Sequence, residues 1–437
     1  MQLGDALPDV RKPIPASAGR RWVERLAASE CPALTTRRKR REEQTGASHD
    51  PIVWVEALGA NVIDADGNRY VDLTAGFGVA FVGHRRPEIV NAIKGQADRL
   101  IHALGDLHPS DVKIELLDRL RALAPWPDAR VMLSLSGADA VTAALKTAVM
   151  ATGKPGVVAF EGGYHGLTYG PLSVSGYDAR FREPFQPQLH PHVQFARWPQ
   201  SETDLEAALR TLPGDWSGIG AVIVEPIQGR AGVRVPPSGF LAALRDACRD
   251  HGALLIVDEI FTGLGRCGAW WRSVDRGVTP DLICAGKALG GGVPVSACIG
   301  RAEVMRGWGT PDREAIHTGT FYGDPLGSAA ALATLDLIER EGLLTKAAER
   351  GKRFGKALRS AQLPGILEVR QAGMMIGLQL EGDHDALAMT RELLERGYLA
   401  LPAGARADVL QLTPPIVLTD AQLEGFVDAL GDALGNR

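Results

Sequence analysis

Short, uninterrupted apolar runs alternate with longer stretches in which apolar residues return every three or four positions, and this rhythm dominates the middle of the chain. GVVAF (156–160), GAVIVEP (220–226) and ALLIVDE (253–259) are continuous and mostly rich in valine or isoleucine, as strands covered on both faces are. VMLSLS (131–136) leads into ADAVTAALKTAVMATG, where Ala140, Val141, Ala144, Leu145, Ala148 and Val149 fall at helical spacing until Gly153 and Pro155 end the pattern. GFLAALRDACRDHG (239–252) lies between two of the runs and predicts a helical crossover. Strand, helix and strand in succession predict an α/β domain with a mostly parallel central sheet.

The ends read differently. Residues 50–75 alternate apolar and polar positions around Asp64-Ala65-Asp66-Gly67-Asn68, which predicts an antiparallel hairpin. From about 335 onward, helical patterns mix with short strands such as MMIGLQL (374–380). Both termini together are expected to build a smaller α+β domain. The chain then divides into an extension over 1–45 of unassigned role, a first part of the small domain over 46–80, a large domain over 81–334, and the rest of the small domain over 335–437. No internal repeat and no low-complexity segment stands out.

At 437 residues and 45% hydrophobic content, the chain is long enough to divide its core between two domains. A formal net charge of −4 offers no general attraction to nucleic acid or to anionic membranes, so a small molecule is the expected partner. No apolar run approaches the roughly 20 residues of a membrane span. The start, MQLGDALPDVRKP, lacks a basic segment followed by an apolar one, so export is not expected. Five widely spaced cysteines form no CxxC pair; a cytoplasmic location and no metal are expected. The basic run Arg37 to Arg41 is followed at once by Glu42 and Glu43, and reads as a solvated helix face rather than a nucleic-acid arm.

In open parallel sheets, ligands bind beyond the carboxyl ends of the strands, and those ends carry a consistent set of residues. Ser136, Gly137, Ala138 and Asp139 follow VMLSL in a capping-box pattern. The turn is either an ordinary helix cap or a site where backbone N–H groups hold a phosphate. After GVVAF, Tyr164 and His165 sit in a glycine-rich turn; the tyrosine either stacks on a planar ligand or fills the loop. ALLIVDE ends in Asp258 and Glu259. A carboxylate at the end of so apolar a strand requires a cationic partner. Lys287, in DLICAGKALGGGVP, is the only charged side chain between Asp281 and Arg301. It either snorkels to the surface or is desolvated, which lowers its pKa and favours the neutral, nucleophilic amine that a Schiff base requires.

SGADAV, YHG, VEPIQG, DEIFTGLGRCG, AGKALGGG and TFYGDP occur in one order and spacing. On these motifs, from about residue 50 to the C-terminus, the chain resembles the class III, or ω-amino acid, aminotransferases of the fold type I pyridoxal-phosphate enzymes. The resemblance implies pyridoxal 5′-phosphate as cofactor, with Lys287 as the Schiff-base lysine and Asp258 paired with the pyridine nitrogen. It further implies that Tyr164 and Ile260 pack on the two ring faces and that Ser136, Gly137 and Ala138 hold the phosphate. His165 belongs to the same cofactor set, and Glu225 and Gln228 lie near the ring and its hydroxyl side. Thr320 completes the phosphate cup of the neighbouring subunit, so a homodimer is the implied unit.

Departures from the family pattern bear on the substrate. Arg230 stands where many members have glutamate, and Gln411 stands where those members have its arginine partner. Arg230 is therefore expected either to meet a substrate carboxylate, with Arg406 as a second candidate, or to fill a polar rim beside a plain amine; Phe77 falls where the family lines the pocket entrance. The expected reaction is transfer of an amino group from an ω-amino acid or similar amine, 4-aminobutyrate-like or ornithine-like, to a 2-oxo acid by a ping-pong cycle. Two alternatives share these residues: a pyridoxal-phosphate racemase, aminomutase or decarboxylase on the same scaffold, and a non-catalytic pyridoxal-phosphate-binding protein.

Overall fold

Alternate residues of the central apolar runs belong to two different cores, which is why the runs are apolar without interruption. In the computed structural model, which describes residues 3–46, 48–309, 314–382 and 385–435, Val157 and Ala159, Ala221 and Ile223, and Leu254 and Ile256 pack with helix α1 (Gly137–Thr152) on one face of a sheet. Val158 and Phe160, Val222 and Val224, and Leu255 and Val257 pack with helix α2 (Phe240–His251), Trp198 and Trp216 on the other. A strand buried on both sides leaves no solvent face for polar residues to occupy.

The sheet has seven strands: β1 (Arg130–Ser134), β2 (Gly156–Phe160), β3 (Val193–Ala196), β4 (Ile219–Val224), β5 (Leu254–Asp258), β6 (Leu282–Ala285) and β7 (Ser296–Gly300). Their spatial order is β1-β7-β6-β5-β4-β2-β3. β6, β5, β4, β2 and β3 pair in parallel, while β7 runs antiparallel to both β6 and β1. Asp258 lies opposite Cys284, so the end of β5 and the turn that follows β6 are neighbours. This sheet sits in the compact unit Pro87–Glu349.

Met1–Arg86 and Arg350–Arg437 form the second compact unit. Its first sheet contains the hairpin Asn61–Asp64 and Arg69–Asp72, with Trp54–Leu58 on one side and Tyr398–Leu399 in parallel on the other. A second sheet is built from Ile366–Ala372, Met375–Leu380, Val409–Leu412 and Leu401–Ala403. Phe354, Ile376, Leu378, Met389, Leu410 and Phe426 fill its core.

The first residues are fastened to the hairpin by buried polar side chains. Asn61 Oδ1 accepts from the N–H groups of Gly4 and Ala6, and Asn68 Oδ1 from those of Arg11 and Lys12. Asp66 accepts from Ala16, Ala18 and Gly19, each at 2.9 Å, at the start of the helix Ser17–Ser29. That negative charge meets the positive end of a helix dipole. The basic run lies on the next helix, Pro32–Thr45, which buries none of its residues.

Candidate active site

Asp258 ends β5 and is only 4% exposed. Its Oδ2 lies 2.7 Å from His165 Nδ1, and its Oδ1 accepts from the Ile260 N–H at 3.1 Å. The carboxylate is an acceptor, which assigns a proton to Nδ1. Burial disfavours the imidazolium, but the hydrogen bond and charge of Asp258, with Glu225 behind it, leave the His165 pKa above its ordinary value. The ring is held in place through its own backbone, whose N–H donates to Ser175 Oγ at 3.0 Å.

Glu225 follows β4 and accepts from the N–H groups of Tyr164, at 2.9 Å, and Gly229, at 3.1 Å. Burial pushes its carboxyl up to about 7, and His165 opposes that shift. Glu259 is fully buried and ties the loop after β5 to a later turn. It accepts from the Thr262 hydroxyl, from the Ser273 N–H at 2.7 Å and from the Ser273 hydroxyl at 2.8 Å.

Lys287 opens the short turn Lys287–Gly290 just beyond β6, with φ +45°. A left-handed backbone at a residue that has a Cβ costs about 1–3 kcal/mol, and such strain collects at functional positions. Burial pushes the ammonium down to about 8; Asp258 and Glu225 pull the other way, while Arg266 and Arg230 add to the depression. The ammonium rests 3.8 Å from the centroid of the Phe261 ring.

Ser136 caps α1 through the full capping box: its Oγ accepts from the Asp139 N–H, and the Asp139 carboxylate accepts from the Ser136 N–H. The first N–H groups of the helix then have no partner within it. A Cβ on Gly137 would lie 2.7 Å from Ile260 Cδ1, so only glycine lets the turn and Ile260 approach this closely. Tyr164 meets Tyr177 edge to face, with centroids 6.2 Å apart. The Arg230 guanidinium lies 5.0 Å from the Tyr164 ring and 5.1 Å from the Tyr177 ring. Its Nε is buried without a hydrogen-bond partner.

Other expected residues are placed differently. Gln228 is fully buried and spends its amide within the protein, donating to Glu161 O at 2.8 Å and accepting from Arg234 at 3.2 Å. Thr320 is exposed, beside the exposed Phe321. Phe77 and Arg406 belong to the other compact unit. Phe77 is exposed at φ +62°, and Arg406 is ion-paired with Asp408 at 3.0 Å. Phe261 and Tyr177 were not singled out from the sequence. Phe261 lies inside the DEIFTGLGRCG motif, where an aromatic beside so many small residues was a usable signal; Tyr177 gave none.

A helix N-terminus free to take an anion, a buried carboxylate held by an imidazole, and a lysine whose amine is easily neutralised meet within one unit. The aminotransferase class-III family model matches residues 44–434. The chain is a class III aminotransferase. Its relatives include the acetylornithine aminotransferases of Methanopyrus kandleri, 41% identical over 89% of this chain and 95% of that protein, and of Mycobacterium tuberculosis, 37% identical over 87% and 91%. Among solved structures it is similar to an amine transaminase from an uncultivated Pseudomonas species, with a TM-score of 0.82 and 30% identity over 88% and 95% of the two chains. The ornithine aminotransferase of Toxoplasma gondii matches with a TM-score of 0.79 and 31% identity over 91% and 94%.

The fold is accordingly fold type I, and the aminotransferase uses pyridoxal 5′-phosphate. The residues present fit that group. A phosphate ester suits the open α1 N-terminus, a basic ring nitrogen suits Asp258, and a carbonyl suits the amine of Lys287. Among the described residues, no helix is long and apolar enough to cross a membrane.

Proposed function

We propose that Lys287 and Asp258 are the catalytic pair of an aminotransferase that takes nitrogen from an ornithine-like donor and passes it to a 2-oxo acid in a ping-pong cycle. The observation that supports this most is Lys287 itself, an amine that burial pushes down to about 8 against the pull of Asp258 and Glu225. Near neutral pH such a group gives up its proton readily enough to act as nucleophile and as base. Bound pyridoxal phosphate supplies a carbonyl for amine exchange and a ring that takes up the electron pair left when a C–H proton departs. Lys287 Nζ takes that proton and returns it at the neighbouring carbon. Asp258, steadied by His165, keeps the ring nitrogen protonated.

Ser136, Gly137 and Ala138 hold the phosphate, and Tyr164 and Ile260 flank the ring. Glu225 borders the ring from the end of β4; Gln228 acts from outside it, fixing the turn that carries Tyr164. Thr320 completes the phosphate site of a second copy. Exposed Leu104, Leu107, Ile316 and Phe321, linked by the 5.2 Å ring contact of His102 with Phe321, form the apolar surface such a copy would cover. Four buried cysteines outside any disulfide support a reducing, cytoplasmic setting.

Relatives named for acetylornithine and ornithine support a donor whose reacting amine lies far from a carboxylate. Arg230 is the group to receive that carboxylate, because its Nε is buried and unpartnered between two tyrosine rings. The test supplies ¹⁵N-labelled ornithine, N-acetylornithine, 4-aminobutyrate, β-alanine, a diamine or an aromatic amine, with pyruvate or 2-oxoglutarate. Label in the product amino acid, with the carboxylate-bearing donors fastest, is the expected result. No label from any donor, with solvent exchange of an α-proton instead, would overturn the reading.

A further inference from the structure

The ammonium of Lys287 faces a ring rather than a carboxylate. Phe261 lies three residues beyond Asp258, in a loop anchored by the buried Glu259. The ring is also set close against bare backbone: a Cβ on Gly229 would lie 2.3 Å from Phe261 Cδ1 and 2.8 Å from Cε1. Gly229 and the lysine thus both bear on the ring. Arg266, Arg230, Asp258 and Glu225 are the charged groups that act on the same ammonium.

We propose that Phe261 is a positioning residue for Lys287, its ring face serving as the seat of the free ammonium whenever the amine is not bonded to carbon. This rests on Lys287 being the amine that bonds the cofactor. An aromatic face attracts a cation through its quadrupole and accepts no proton. A carboxylate in the same place would lock the lysine as an ion pair, and an aliphatic side chain would leave it unplaced. The ring localises the charge and still releases it.

The test uses cofactor-stripped protein and pyridoxal phosphate as probe, following the pH dependence of the rate at which the amine captures the aldehyde with loss of one water. The midpoint reports the Lys287 pKa. Placing a trifluorinated phenylalanine at 261 keeps the shape and removes most of the quadrupole, and should lower the midpoint by up to about one pH unit, the size of a desolvated cation–π contact. Phe261→Leu should shift it the same way. Gly229→Ala, which displaces the ring by steric contact alone, should do likewise. A midpoint that does not move in the fluorinated protein overturns the proposal. Lys287→Arg separates the two readings: if it still captures the aldehyde at the wild-type rate, the assignment of Lys287 falls, whereas loss of capture with an immobile midpoint removes only the role of Phe261.

Discussion

Replacing Lys287 by methionine should make the cofactor-free protein more stable at neutral pH. The ammonium is depressed from 10.5 to about 8 by burial, net of the attraction of Asp258 and Glu225. A depressed amine pKa means that the fold disfavours the charge. Below about pH 8 both folded and unfolded chains carry it and the penalty is complete; between about 8 and 10.5 only the unfolded chain does, and the penalty fades. The shift corresponds to about 3 kcal/mol at about 1.4 kcal/mol per pH unit. Lys287 is only partly buried, so this figure is an upper bound. Methionine has similar length, keeps the backbone strain at φ +45° and carries no charge. The assay is urea unfolding of stripped wild-type and Lys287→Met protein at equal concentration, at pH 7 and pH 10. A higher midpoint at pH 7 that shrinks at pH 10 is expected. A variant no more stable at pH 7, or one whose gain is the same at both pH values, would refute the reasoning.

Arg230→Ala should raise KM for carboxylate-bearing substrates roughly 10- to 100-fold, the worth of a charged hydrogen-bonded contact, and leave neutral amines nearly untouched; equal losses for both classes would count against a carboxylate receptor. Asp66→Ala removes the acceptor of three backbone N–H groups and should cost about 2 kcal/mol or more. Differential scanning fluorimetry and protease cleavage within residues 10–20 would show it, and an uncut, equally stable protein would not fit. Gly137→Ala drives a Cβ toward Ile260 and should weaken cofactor binding about tenfold, as overpacking by about 1–3 kcal/mol predicts. Equilibrium dialysis of pyridoxal phosphate reads this directly, and an unchanged Kd would contradict it.

Strands buried on both faces, such as Ala221–Val224 and Leu254–Val257, were legible because an apolar run without alternation has no polar face to turn toward solvent. The Ser136 and Asp139 cap was legible because both partners lie within one turn. Strand direction was not, since nothing in VMLSL or SACIG records that β7 runs against its two neighbours. The fastening of residues 4–19 by Asn61, Asp66 and Asn68 was also invisible, because each bond joins positions about 50 residues apart. In the site, Asp258 and Lys287 stood out as charges in apolar surroundings. Phe261 carried a signal as an aromatic among the small residues of DEIFTGLGRCG and Tyr177 carried none, but only the folded chain sets Phe261 against Lys287 and Tyr177 against Arg230.

The parallel pairing of Tyr398–Leu399 with Val71–Asp72 bears on how this protein is made. A ribosome delivers the hairpin early, yet the edge strand beside it arrives only after the whole of Pro87–Glu349 and about half of the C-terminal part. At usual elongation rates that interval is roughly tens of seconds. The unit that holds Lys287 and Asp258 can therefore fold while the polypeptide is still being extended, whereas its companion waits with apolar residues such as Val71 and Leu73 uncovered. A nascent chain arrested before residue 398 should hold a folded cofactor domain beside an unfinished one, in need of a chaperone until the last strands emerge.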